Sequence, residues 1–170
     1  DAQQQIASQN FARILTPRFT IFRQLNDDNN NFNALCDKLI DDEQRNNLIV
    51  TDAIAAVLQG RTPIILSSRT KHVQILQELI KAKCPDITIV ALVGSEKARE
   101  KCEKMEMLAK HPATSSLIIV AIDKYVGEGF DYPRLDTLLL SMPFSNKARV
   151  AQYAGRLHRD YEGKTEVRVL

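Results

Sequence analysis

Cysteine is scarce, and its placement excludes more than its number does. Cys36, Cys84 and Cys102 are spread through 170 positions in no CxxC or Cys/His spacing, so they build neither a disulfide scaffold nor a structural zinc site. Scattered thiols suit a reducing compartment, and the expected location is cytoplasmic. An excess of one charge is lacking too. Lys plus Arg total 23 and Asp plus Glu 21, a net charge of +2, which neither demands a nucleic-acid partner nor excludes one, because a local basic stripe vanishes in such a total. The longest apolar run, Leu117 to Ile122, is far short of the ~20 residues a bilayer crossing needs, so no membrane partner is expected. Asp1-Ala2-Gln3-Gln4 carries neither the basic nor the apolar region of a signal peptide. With no initiator Met and a strand-like Val-Arg-Val-Leu at the end, both termini are expected to be cuts from a longer chain. No internal repeat competes with a globular reading. No G-x-G-x-x-G follows a strand, which argues against a dinucleotide-binding enzyme.

What is present is an alternation of short apolar runs with helical segments. Residues 1–60 open with a helix expected over Gln3–Ile14, then a weakly alternating edge strand over Phe19–Phe22. A polar loop follows at Asn26–Asn31, and then two amphipathic helices, Asn31–Ile40 and Asp42–Gln59, the second stopped by Gly60. From Thr62 the rhythm changes. Pro63–Leu66, Ile87–Leu92, Leu117–Ile122, Thr137–Ser141 and Glu166–Leu170 read as strands. Lys71–Lys83, Ser95–Lys110 and Asn146–Leu157 read as helices between them. Strands alternating with helices of about a dozen residues specify an α/β fold of right-handed βαβ units with a mainly parallel sheet. A short, mostly helical N-terminal segment is expected to precede it.

Four polar clusters are expected beyond the carboxyl ends of the strands, where open α/β sheets place their working loops. Ser67-Ser68-Arg69-Thr70 opens a helix, so its hydroxyls, free N–H groups and guanidinium suit a phosphate; taken alone, an ordinary helix cap is the commoner meaning of such a cluster. Gly94-Ser95 is a second turn into a helix, and alone says little. The third cluster, Asp123-Lys124-Tyr125-Val126-Gly127-Glu128-Gly129-Phe130-Asp131-Tyr132-Pro133, puts two glycines and several carboxylates after a buried strand. There the backbone could approach a ligand and Asp131 accept from a ribose hydroxyl; a tight structural loop is the plain alternative. The fourth, Gln152-Tyr153-Ala154-Gly155-Arg156-Leu157-His158-Arg159, spaces two arginines three apart, so a helix end would project them from one face. Paired guanidiniums grip phosphate and stabilise the charge of phosphoryl transfer, although two surface arginines are the common case. His158 reads as a solvated histidine, since His72 and His111 are distant and no metal site is expected.

In order and spacing these clusters resemble the second RecA-like domain of superfamily 2 DEAD/DEAH-type helicases, and are similar to members associated with restriction, phage defence and repair. The segment Ile64–Leu76 resembles motif IV, whose Ser/Thr-Arg pair touches the nucleic-acid backbone. Gly127-Glu128-Gly129-Phe130-Asp131-Tyr132-Pro133 resembles motif V, and Gln152-x-x-Gly155-Arg156-x-x-Arg159 resembles motif VI with its arginine finger. The resemblance covers about residues 48–170; residues 1–47 are expected to be a linker or the tail of a preceding motor domain plus a helix. One position departs from the pattern. Ile122 stands where many members carry a Thr that contacts the backbone, although Asp123 and Lys124 remain nearby.

The resemblance implies a three-layer RecA-like domain working as half of an ATP-dependent motor. Arg156 and Arg159 would be catalytic, and Gly127, Glu128, Gly129, Asp131 and Gln152 would line the nucleotide. Ser67, Ser68, Arg69, Gly94, Ser95 and Lys124 would track DNA through its backbone, with little sequence preference. ATP with Mg²⁺ would be held mainly by a first RecA-like domain of the same polypeptide, because this chain has no phosphate loop. Gly163-Lys164-Thr165 imitates the end of one, but His158 stands where the first glycine belongs and a strand, not a helix, follows. Asp41-Asp42-Glu43-Gln44 is no metal-holding box either, since no buried strand precedes it. The isolated chain is therefore expected to be inactive. A non-catalytic α/β module binding nucleotide or nucleic acid, and a translocase subunit of a restriction system, remain the alternatives.

Overall fold

The computed structural model describes residues 11–23, 31–94, 96–127, 130–144 and 146–170. Its elements run β1 (Ala12–Leu15), α1 (Phe32–Ile40), α2 (Glu43–Leu58), β2 (Pro63–Ser67), α3 (Thr70–Lys83), β3 (Thr88–Leu92), α4 (Ala98–Lys110), β4 (Leu117–Ile122), α5 (Asp123–Gly127), β5 (Thr137–Leu140), α6 (Lys147–Leu157) and β6 (Glu166–Val169). The strands form one six-stranded sheet in the order β1-β6-β5-β2-β4-β3, and every pairing is parallel.

Strand periodicity sorts the core into two layers. Ile64, Leu66, Leu117, Ile119 and Ala121 point to one face, with Leu108 of α4, Tyr125 and Val126 of α5, and Tyr153 and Leu157 of α6. Ile65, Ile118 and Val120 point to the other, against Ile49, Val50 and Ala53 of α2 and Val73, Leu76 and Ile80 of α3. Side chains alternate across a strand, so a strand covered on both faces must be apolar throughout. That accounts for β2 being buried along its whole length. A smaller cluster joins Cys36, Leu39 and Ile40 of α1 to Met142 beyond β5. Helix and sheet thus stack as three layers of the RecA-like kind, as the sequence implies.

The N-terminal region departs from its expectation. Ala12–Leu15 is a strand, not the end of a helix, and it pairs in parallel with β6. Thr165 O accepts from Ala12 N at 3.0 Å, and Val169 O from Thr16 N at 2.9 Å. A ladder partner 154 residues away, Glu166 for Ala12, overrides a local helical pattern; residues 3–10 of the expected helix lie outside the described residues. Phe19–Phe22 forms no regular structure, and Asn26–Asn30 also lie outside them.

Helix α2 ends as expected. Gly60 N donates to Val57 O at 2.9 Å and Arg61 N to Ala56 O at 3.0 Å, the paired bonds of a Schellman stop. The stop delivers Arg61 to the amino ends of the central strands. There it is only 9% exposed and donates to Thr137 Oγ1 at 2.7 Å, to Asp136 O at 3.0 Å and to the Glu166 carboxylate. One side chain thereby ties the starts of β2, β5 and β6 together.

Candidate nucleotide and nucleic-acid interface

The loop after β2 is organised from beneath. Asn46 donates its amide nitrogen to Ile40 O at 2.7 Å, which leaves Oδ1 to accept from His72 Nε2 at 2.8 Å. His72 therefore carries its proton on Nε2, and Nδ1 accepts from the Ser67 hydroxyl at 3.0 Å. Ser67 Oγ in turn accepts from Arg69 N at 3.2 Å. His72 and Ser67 are fully buried, and burial, followed by the nearby Arg45 guanidinium, pushes the imidazole down to about 4. A serine, histidine and amide in a row suggest nucleophilic chemistry, but a hydroxyl with no exposure meets no substrate. Ser67, expected as a phosphate contact, has its side chain consumed inside the fold. It shapes the turn that presents Ser68 and Arg69. Ser68 is half-buried but its hydroxyl oxygen is itself covered and has no partner among the described residues, and Arg69 Nη2 donates to Asn33 Oδ1 of α1 at 2.6 Å.

Beside this turn lies a depression of about 140 Å³ lined by Gly94, Glu96, Lys101, Ile122, Lys124 and Tyr125. Gly94 has φ +73°, and a Cβ there would sit 3.0 Å from Ile122 Cδ1, so the glycine admits the isoleucine that replaces the expected threonine. Lys101 Nζ lies 4.5 Å from the Tyr125 ring centroid, and Lys124 is exposed. Ser95 lies outside the described residues. Residues after β4 were expected as an open loop, but Asp123–Gly127 makes a short helix. Asp123 starts it, accepting from Lys124 N at 2.8 Å. Gly127 closes it, and Glu128 and Gly129 lie outside the described residues.

The arginine cluster lies elsewhere. Asn146 caps α6, accepting from Ala148 N at 2.9 Å, and the helix descends from the carboxyl end of β5. Eleven residues at ~1.5 Å each span about the length of a short strand, so the helix finishes near the amino ends. The expectation that all four clusters gather at the carboxyl ends is corrected here. Ser68, Arg69, Gly94 and Lys124 share that end, whereas Arg156 and Arg159 sit at the other end of α6. The face argument also fails for Arg159, because the helix stops at Leu157. Arg159 lies beyond it, oriented instead by Asp131, with Nε 3.3 Å from Oδ1. Gln152 and Arg156, four apart on α6, do share a face; Gln152 is exposed and Arg156 half-buried. His158 is not simply solvated. Its Nδ1–H donates to Ala154 O at 2.8 Å, so Nε2 accepts from Arg13 Nε of β1 at 3.2 Å, with Phe11 5.7 Å from its ring.

Sequence reasoning missed Lys164. Its Nζ donates to Pro133 O and Arg159 O, each at 2.6 Å, and to Leu157 O at 3.0 Å. Burial lowers its pKa, with Asp136 and Asp160 opposing. Among the described residues no group of three His, Cys, Asp or Glu side chains could hold a metal ion, and no helix is long and apolar enough to cross a membrane.

A six-stranded parallel sheet flanked by helices on both faces is the architecture of a RecA-like domain. Residues 46–161 match the helicase conserved C-terminal domain family, and the chain belongs to it. It is 25% identical over 118 residues to a probable helicase, D10, of Escherichia phage T5, covering 69% of this chain and 25% of that protein. It is 25% identical over 144 residues to the transcript termination protein A18 of rabbit fibroma virus, covering 82% of this chain and 29% of the relative. The chain therefore spans less than a third of either relative. Among solved structures, T4 UvsW superposes with a TM-score of 0.65 at 22% identity, covering 83% of this chain and 28% of that one. The second domain of the DEAD-box helicase Mss116p, solved with an RNA duplex, superposes with a TM-score of 0.60 at 22% identity, covering 74% and 50%.

Proposed function

We propose that this chain is the second motor domain of an ATP-dependent DNA helicase or translocase, supplying an arginine finger and part of the nucleic-acid track. The observation that carries this reading is the meeting of Asp131 and Arg159 at 3.3 Å, just past the helix whose last turn holds Arg156. A carboxylate able to accept from a ribose hydroxyl and a guanidinium able to grip phosphate thus meet on one exposed edge. Arg159 is the finger and Arg156 supports the γ-phosphate beside it. Both act on ATP whose phosphates and Mg²⁺ are held chiefly by a first RecA-like domain, since this sequence has no phosphate loop. Arg69, Ser68, Gly94 and Lys124, at the opposite end of α6, contact backbone phosphates, so closure and opening of the nucleotide cleft shift their grip along a strand. Backbone gripping implies weak sequence preference and salt-sensitive binding.

Arg159→Ala in the intact protein tests the reading. Nucleic-acid-stimulated hydrolysis should fall about a hundredfold or more, the order of a lost transition-state charge contact. Nucleotide affinity should change little, and Arg159→Lys should not restore the rate, because a point charge does not reproduce the planar fork. Near-normal turnover per folded molecule, with rescue by lysine, would reduce both arginines to surface residues and leave a non-catalytic binding module. Stimulation by RNA and not by DNA would replace the substrate but keep the motor.

A further inference from the structure

The sequence Gly163-Lys164-Thr165 imitates a phosphate loop, but its lysine faces the protein's own backbone. Lys164 N donates to Tyr161 O at 3.1 Å, closing a tight turn whose third residue, Gly163, has φ +80°. That left-handed conformation favours glycine. The turn folds Lys164 back beneath the end of α6. An ammonium has three hydrogens and no lone pair, and here all three are used: Nζ reaches Pro133 O and Arg159 O at 2.6 Å and Leu157 O at 3.0 Å. These carbonyls belong to three places that bear on the arginine. Pro133 lies in the loop carrying Asp131, Leu157 is the last residue of α6, and Arg159 is the arginine paired with Asp131. Beyond a helix end, helical hydrogen bonds no longer fix the chain. Three charge-assisted bonds from one cation replace them.

We propose that Lys164 is the positioning residue for Arg159, locking its backbone to the Asp131 loop so that the guanidinium meets the transferring phosphate in one orientation. The proposal rests on the finger role of Arg159. It assigns Lys164 no contact with nucleotide, contrary to what its motif suggests, and it predicts an effect that passes entirely through Arg159.

The test is a double-mutant cycle in the intact protein, reading steady-state ATP hydrolysis at saturating nucleic acid for wild type, K164M, R159A and K164M/R159A. Methionine keeps the length and apolar stem of the side chain and removes the ammonium. Enzyme concentration is set so that a tenfold loss below R159A remains measurable. K164M should lower kcat about tenfold or more while KM for ATP stays within about twofold, the pattern of an interaction felt in the transition state. The double variant should be no slower than R159A alone, because residues acting as a unit do not add. A merely structural lysine would lower the melting temperature and leave turnover per folded molecule intact. That result, or losses that multiply in the double variant, would overturn the proposal. R159A inactive with K164M fully active would sink the inference and spare the function. R159A fully active would sink both. If K164M does not fold, K164R serves in the same cycle. It keeps the charge, but a planar fork cannot direct three donors at converging carbonyls, so it should show the same kcat loss without additivity, and wild-type kcat in K164R would refute the proposal.

Discussion

Acid should weaken this domain through one buried ring. His72 has no exposure, and its two nitrogens have opposite roles: Nε2 donates to Asn46, whose amide nitrogen is committed to Ile40 O, and Nδ1 accepts from Ser67. Protonation would put a second donor against the Ser67 hydroxyl and a positive charge into the core beside Arg45. Burial first, and Arg45 second, therefore lower the imidazole from 6.5 to about 4. The folded state resists the proton more than the unfolded state does, so between these values the unfolded chain binds more protons. Stability is then fully present above pH 6.5, falls as the pH drops, and levels off below about 4. At ~1.4 kcal/mol per unit, the interval is worth about 3 kcal/mol, a sizeable part of the 5–15 kcal/mol typical of a domain. Urea unfolding of wild type and His72→Gln from pH 7.5 to 4.5 isolates this contribution, because carboxylates titrate alike in both. The variant should be less stable at neutral pH, and the gap should close by about 3 kcal/mol in acid. A gap that stays constant with pH would refute the neutral, buried ring.

Two further outcomes follow from the geometry. Arg69→Ala should weaken nucleic-acid binding about equally for unrelated sequences and reduce the salt slope by about one; titrations showing a loss confined to one sequence would refute the backbone role. Arg61→Ala removes the guanidinium shared by Asp136 and Glu166, leaving Glu166 with Arg168 and Asp136 with Thr62 N and Thr137 Oγ1, and the lost charge-assisted bonds should cost about 1.5–3 kcal/mol; a loss under about 1 kcal/mol by urea unfolding would show that water replaces the guanidinium.

The parts of the fold legible in sequence are those whose cause is local or periodic. An unbroken Ile64-Ile65-Leu66 states that both sheet faces are covered, and the two core layers split at Ile65. Gly60 and Asn146 stop and start helices with bonds of their own. What was not legible depends on a distant partner. Ala12–Leu15 is a strand only because β6 offers a free edge. Ser67 reads like its neighbour Ser68, and only His72 beneath the turn makes it inward-facing. The work of Lys164 is done on carbonyls, which every residue possesses, so no side-chain pattern could announce it. Spacing identified Arg156 and Arg159 together, but the orientation of Arg159 comes from Asp131 and from the backbone, not from a shared helical face.

On the proposed function, Arg156 and Arg159 stand apart from the turns that would contact phosphates, as a motor domain requires. A single patch holding both would bind nucleotide and nucleic acid in competition; two ends of one rigid element bind them in concert. Helix α6 is that element. At its start Arg149 Nη1 lies 3.9 Å from Asp123, the residue that opens α5 next to Lys124. At its finish Lys164 holds Leu157 and Arg159. Between them Tyr153 and Leu157 are buried in the layer that also holds Tyr125 and Val126 of α5, so the helix cannot slide without moving the floor beneath Lys124. Packed interiors transmit displacement because they hold no space to absorb it. On the proposed function, a pull on Arg159 at the nucleotide is therefore felt at the turn that grips the strand, through side chains in van der Waals contact along one helix.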